Sequence, residues 1–233
     1  MIQLTGEEFT GPYHFVKFWI ETVAAWEKEK GVKQLIGLSV TKDVQDSILA
    51  NPALAQYIDL IDIRYWHLQA DGSAYAPKGG QNLAPRQHAR LLKPKKSSFE
   101  QVYLAVKNYR QLYPSKAVMY SSDSFDQFGW AVLMAGGSLP VLPELPANFL
   151  KAVTNMKPVE GKQYLLSNQN KEWVIYCHQG YHTIPQVDPK QIYQLVWIDP
   201  KNGSIFKEIE VLGAALEKFE KPVSNELVAW IKK

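Results

Sequence analysis

The chain is 233 residues long, 46% hydrophobic and 12% aromatic, which is ample material for a core and for one large or two small domains. Its net charge of +3 is spread over interspersed signs. The one basic cluster, Arg86, Arg90, Lys93, Lys95 and Lys96, comes with no recognition motif, so it reads as a solvated loop and not as a nucleic-acid surface.

No apolar run is long enough to span a bilayer, and no charged, apolar leader opens the chain, so as written it carries no export signal. The single cysteine, Cys177, lies in an alternating run from Glu172 to His178 and reads as a small core residue. Seven Trp and twelve Tyr are more than packing alone demands; exposed rings grip the apolar faces of sugars, although burial is the first reading for most of them.

In chain order, an apolar run from Met1 to Thr5 ends in Gly6-Glu7-Glu8 and turns at Thr10-Gly11-Pro12 into a helix. Phe15, Phe18, Trp19, Val23 and Trp26 recur at helical spacing before Gly31, giving a helix over roughly 12–30. Leu35 to Val40 reads as a buried strand, Lys42 to Ala50 as a helix ended by Asn51-Pro52, and Ile58 to Trp66 as a long strand. Leu68 to Lys96 holds Gly72, Pro77, Gly79, Gly80, Pro85 and Pro94 without a period and reads as a long loop, of a length that is usually functional or disordered.

Ser97 and Ser98 each stand three residues before Glu100 and Gln101, so either can open a capping box for the helix carrying Phe99, Val102, Val106 and Tyr109. Ala117 to Tyr120 is the next strand, Phe128 to Leu133 a helix, and Ser138 to Leu142 a fifth strand. Such a series of βα units calls for right-handed crossovers. A parallel strand needs neighbours and covered faces, so a chain opening on one reads as a barrel entered partway through.

After Pro140, Pro143 and Pro146 the composition shifts. A short helix around Asn148 to Asn155 leads to runs at 163–166, 173–176, 193–198, 205–211 and 227–231, separated by turns such as Asp199-Pro200-Lys201-Asn202-Gly203. That pattern predicts a small antiparallel sandwich. The expected boundary is at residue 158, with a partial barrel over 1–158 and a β-sandwich over 159–233.

A carboxylate at the carboxyl end of a short strand, just before a helix, stands where a β/α barrel places catalytic side chains. Glu8 has that position; it could also simply favour the following helix dipole, and the coincidence of strand, carboxylate and turn favours a site. Asp123, after Tyr120, reads equally as a helix cap or as a catalytic group. Asp62 and Arg64 alternate along a strand with Tyr65, as a buried ion pair or as substrate contacts. Trp66 and His67 at the strand end, and Arg86 and His88 in the long loop, are site candidates by position. The five His show no ligand spacing, so no metal is expected, and nothing implies another cofactor.

The collinear order of Gly6 to Pro12, Asp59 to Trp66, Pro85-Arg86-Gln87-His88, and Gly129-Trp130-Ala131 with Gly136-Gly137 resembles the C-terminal part of bacterial glycoside hydrolases. In these a clan-A-type TIM barrel precedes a small β-sandwich, in some members described as collagen-binding. Trp173-Val174-Ile175-Tyr176 and Val196 to Gly203 resemble that sandwich.

The resemblance implies an Asn-Glu pair after the fourth barrel strand, the Glu being the general acid/base; Glu8 matches it, and Glu7 stands at the Asn. It implies a Glu nucleophile after the seventh strand, where this chain offers Ser121-Ser122-Asp123, with Asp126 beyond. Asp is one methylene shorter, so either the local backbone compensates or the chemistry differs. Substrate contacts would come from Glu7, Arg64, Tyr65, Trp66, His67, Arg86, His88 and Asp126.

The resemblance further implies barrel strands four to eight only, a truncated or excised fragment of a normally secreted or periplasmic protein, and an open barrel edge that a homo-oligomer would cover. Two functions follow. One is a glycoside hydrolase-like domain using paired carboxylates on polysaccharide, with little activity in this chain alone. The other is a non-catalytic module that holds carbohydrate or matrix protein, and the missing units favour it for the chain by itself. Neither a nucleic acid nor a membrane is an expected partner.

Overall fold

The computed structural model of the chain describes residues 2–5, 11–121, 125–161, 164–169, 171–178 and 180–233, with 2–5, 85 and 125–127 described in backbone only. Two compact units emerge. The first runs to Leu133 and takes in Gly137–Pro140; the second holds Met134–Gly136 and Val141–Lys233.

The first unit alternates strands and helices. After β1 (Ile2–Thr5), helix α1 (Tyr13–Lys30) ends at Gly31, whose left-handed φ of 64° closes the last turn. Glu27, buried near that end, accepts from the Gln34 N–H at 2.7 Å and so fixes the turn into β2 (Leu35–Leu38). Helix α2 (Lys42–Leu49) follows, then α3 (Pro52–Ala55), capped by Asn51 Oδ1, which accepts from the Ala53 N–H. Strand β3 (Leu60–Ile63) leads to a short hairpin, β4 (His67–Leu68) with β5 (Ala74–Tyr75), and to α4 (Pro85–Leu92).

Next come α5 (Phe99–Leu112), β6 (Ala117–Tyr120) and α6 (Phe125–Met134). Of the two serines before α5, Ser98 is the cap, accepting from the Gln101 N–H at 3.3 Å. Ser97 instead donates to the Leu68 carbonyl at 2.6 Å.

The sheet order is β1-β2-β3-β6, every pair parallel, so order in space equals order in the chain. With right-handed crossovers this winding keeps all connections on one face, as in an arc of a β/α barrel. Register and alternation put Ile36, Leu38, Ile61, Ile63 and Val118 on one face, each fully buried. Gly37, Asp62 and Met119 take the other.

The described residues form an open sheet and not a closed barrel. The fifth strand expected at Ser138 to Leu142 does not form. Its ladder ends after one bond, from the Ser138 N–H to the Val118 carbonyl at 2.7 Å. Leu139 then turns left-handed at φ 51°, and Pro140 has no N–H to continue.

In the second unit, helix α7 (Ala147–Val153) precedes β7 (Lys157–Pro158), β8 (Leu165–Asn168), β9 (Glu172–Cys177), β10 (Ile192–Ile198), β11 (Ile205–Leu212), α8 (Gly213–Leu216) and β12 (Leu227–Lys232). The strands form one antiparallel sheet, ordered β11-β10-β12-β9-β8-β7. Trp173, Ile175, Cys177, Leu195, Trp197, Ala229 and Ile231 share one face and pack with Ile184 and Leu216. On the opposite face the Trp230 ring meets Phe149 of α7 edge-on at 5.5 Å.

The expected sandwich is thus a single sheet among the described residues, with chain segments and helices in the place of a second sheet. Alternation marks each strand but does not say how strands are shared between sheets. Five of the seven Trp are buried, as packing predicts; Trp19 and Trp26 on α1 are exposed.

Candidate functional site

The carboxyl ends of the parallel strands bring polar side chains together. Asp62, near the carboxyl end of β3, is 2% exposed, and its carboxylate accepts from Ser39 Oγ at 3.0 Å and from Ser121 Oγ at 2.6 Å. Three neighbouring strands therefore contribute one group each. An ionised carboxylate is an acceptor only, so two hydroxyl donors satisfy it without a cation. Arg64, two residues on, lies over the Tyr65 ring at 5.8 Å, and the hydrogen bonds of the Asp62 carboxylate among the described residues are those from the two serines.

The segment after β3 is folded, where composition suggested a bare loop. Its hairpin is tied down by the Lys95–Asp71 ion pair at 3.0 Å and by His67, whose Nε2 lies 2.9 Å from the Lys95 carbonyl and therefore donates to it. Ser73 and Lys95 hold the Asp71 carboxyl well below the usual carboxylate range.

Further along, Gly79 seats against the turns after β1 and β2. Its N–H donates to both Asp43 oxygens at 3.1 Å, and a Cβ there would meet Val44, Thr41 and the Gly11 carbonyl within 3.0 Å. The segment after the third strand thus reaches across to the loops after the first two, on the face where barrels keep their sites.

The sequence-derived candidates separate into three groups. Glu7, Glu8 and Asp123 lie outside the described residues, and Asp126 falls on α6 with its side chain outside them. Tyr65, Trp66 and His67 are buried: Trp66 packs on Tyr109 at 5.4 Å beneath the Lys42 ammonium, 4.9 Å from its ring, and His67 packs on Tyr75 at 5.1 Å. These rings are committed to packing. On α4, Arg86 is exposed while His88 is buried at 1% exposure, its Nε2 having no hydrogen-bond partner among the described residues.

Lys42 also pairs with Asp46 at 2.5 Å, and Tyr109 donates to the same carboxylate; burial first, and then Asp46, push the Tyr109 hydroxyl pKa upward. This cluster locks α2 to α5. Burial likewise pushes the Cys177 thiol up to about 12, which makes it an inert core group. Among the described residues no three His, Cys, Asp or Glu side chains are grouped to hold a metal.

Sequence reading missed the grouping of Asp62 with Ser39 and Ser121. Its only signal was a polar residue near the carboxyl end of three strands: Ser39 just past Leu38, Asp62 within β3, and Ser121 just past Tyr120.

Residues 1–156 match the family model described as "Domain of unknown function (DUF6298)". No curated protein matches the chain. A solved structure described as "Glycoside hydrolase" is similar at a TM-score of 0.50 and 11% identity, over 94% of this chain and 61% of that one. At that identity the likeness is one of fold, and this chain spans about three fifths of its neighbour's length.

Proposed function

The chain belongs to the DUF6298 family, and on that premise we propose that it is a glycoside hydrolase-like protein whose paired carboxylates, Glu8 and Asp123, face polysaccharide at the carboxyl ends of the parallel strands. The observation that carries this reading is the sequentially wound parallel sheet, in a fold like that of a glycoside hydrolase, with polar groups gathered where its strands end.

Glu8 would serve as general acid/base and Asp123 as its partner, with Glu7, Arg64, Arg86 and Asp126 lining the substrate and the buried Tyr65, Trp66, His67 and His88 supporting that wall. The parallel sheet has four strands among the described residues, half of a closed barrel's eight, and a wall that incomplete would admit water to the carboxylates and weaken the burial that separates their pKa values. The 233 residues alone should therefore turn over little substrate. Hydrolysis of aryl glycosides and plant polysaccharides by wild type and Glu8→Gln tests this. Robust turnover abolished by Glu8→Gln would make the chain a complete enzyme and overturn the inactivity.

A second reading, a carbohydrate-holding module, is favoured by a recess on the second unit lined by an exposed Phe206 and an anchored Glu226 carboxylate.

A further inference from the structure

The segment from Lys221 to Leu227, which leads into β12, borders adjoining hollows of about 430, 410 and 370 Å³. These are within the size range of small-molecule sites, roughly 300–1,000 Å³. The middle one is lined by Asp199, Lys201, Phe206, Asn225 and Glu226, all in the second unit.

Three features define what would fit. The first is a fixed carboxylate. Glu226 Oε2 accepts from the Tyr176 hydroxyl at 3.0 Å, and Glu226 Oε1 lies 2.9 Å from His178 Nδ1. Tyr176 is 6% exposed, and burial followed by Glu226 itself raises its pKa, which keeps the hydroxyl a donor. The His178 ring is packed against Tyr164 at 5.2 Å and Tyr176 at 4.8 Å. Glu226 is thereby held in one orientation, and each of its oxygens keeps a lone pair for a ligand hydroxyl.

The second feature is a flat apolar surface. Phe206 on β11 is 49% exposed, next to Ile205 at 50% and followed by the exposed Lys207 and Glu208. The third is charge: Asp199 and Glu226 line the middle hollow with the ammonium of Lys201, while Lys221 borders the adjoining hollows, so a phosphate or polyanion would meet two carboxylates, and a cation the Lys201 ammonium.

A neutral ligand with one apolar face and a rim of hydroxyls satisfies all three conditions. We propose that this recess binds a neutral pyranose unit of a polysaccharide. Its C–H face lies on Phe206, its hydroxyls donate to Glu226 and Asp199, and Lys201 and Asn225 donate to its oxygens. The inference rests on the carbohydrate reading above but places the contact away from Glu8 and Asp123.

Affinity electrophoresis of the full chain through gels containing xylan, mixed-linkage β-glucan, galactomannan or arabinan, with polygalacturonate as an acidic control, is the test. At least one neutral polymer should retard the wild type. Phe206→Ala should weaken that binding at least tenfold and Glu226→Gln severalfold, with circular-dichroism melting curves like the wild type's. Binding unaffected by both Phe206→Ala and Glu226→Gln, retardation by polygalacturonate alone, or no retardation by any neutral polymer would overturn the site. Loss of binding on Glu8→Gln would move the ligand to the first unit, overturning this inference while sparing the hydrolase reading. Retained binding without hydrolysis would support the inference and agree with the low turnover expected of the chain alone.

Discussion

Asp62 shows what a single side chain carries in this fold. With two serine hydroxyls on a buried carboxylate, Asp62→Asn replaces one acceptor oxygen by a donor and leaves one serine facing an N–H. The expected cost is about 1–3 kcal/mol, read as a lower urea midpoint at unchanged slope.

His182 makes a pH-dependent contribution. Burial, then the neighbouring Lys221 and His178, depress its pKa below 6.5 while its ring packs on Phe219 at 5.9 Å. As pH falls from 6.5 toward that lowered value, the unfolded chain takes up a proton that the native chain refuses, so stability drops across that window and levels off below it. The thermal midpoint should fall accordingly, and His182→Phe should flatten the fall. An unchanged slope in that variant would mean that His182 is not the group responsible.

At this scale Asp62 was visible as an alternating strand residue. Its partners were not, because they come from other strands and register cannot be read from one sequence.

Among the elements, the segment between β3 and α5 departs most from its sequence pattern. Frequent Gly and Pro hide the hairpin and α4, since each piece is too short to show a period and is held by contacts with distant residues such as Asp43 and Thr41. Gly79→Ala puts a methyl against Val44, Thr41 and the Gly11 carbonyl, so the segment must lift. A loss of about 1–3 kcal/mol is expected, with limited proteolysis cutting within residues 69–96 faster than in the wild type. Helices with long periods, α1 and α5, were legible in type and nearly in extent, because their caps and stops are local. The failed fifth strand was not, since Ser138 to Leu142 is apolar enough for a strand and is stopped by the turn at Leu139 together with Pro140, which has no N–H.

For the molecule as a whole, the parallel winding was legible from alternating βα segments, whereas the partition of the later strands into one sheet or two was not. The first unit ends on β1, which pairs only with β2 among the described residues. The helix that follows it exposes Phe15, Phe18, Trp19 and Trp26 at 40%, 59%, 44% and 43%. An unpaired strand edge beside an aromatic stripe is an association hazard for a monomer. A second copy of the chain is proposed to cover it, and light scattering at micromolar concentration should give at least a dimer that Trp19→Glu with Phe18→Glu dissociates. A clean wild-type monomer would refute this.

The central claim is that Glu8 and Asp123 form one carboxylate pair. A crystal structure of the chain measures it directly, through the distance between the two carboxyl groups. A pair at about 5–5.5 Å or at roughly 6.5–9.5 Å fits a retaining or an inverting site respectively. A separation far beyond that range, or carboxyl groups facing different surfaces, would contradict the claim.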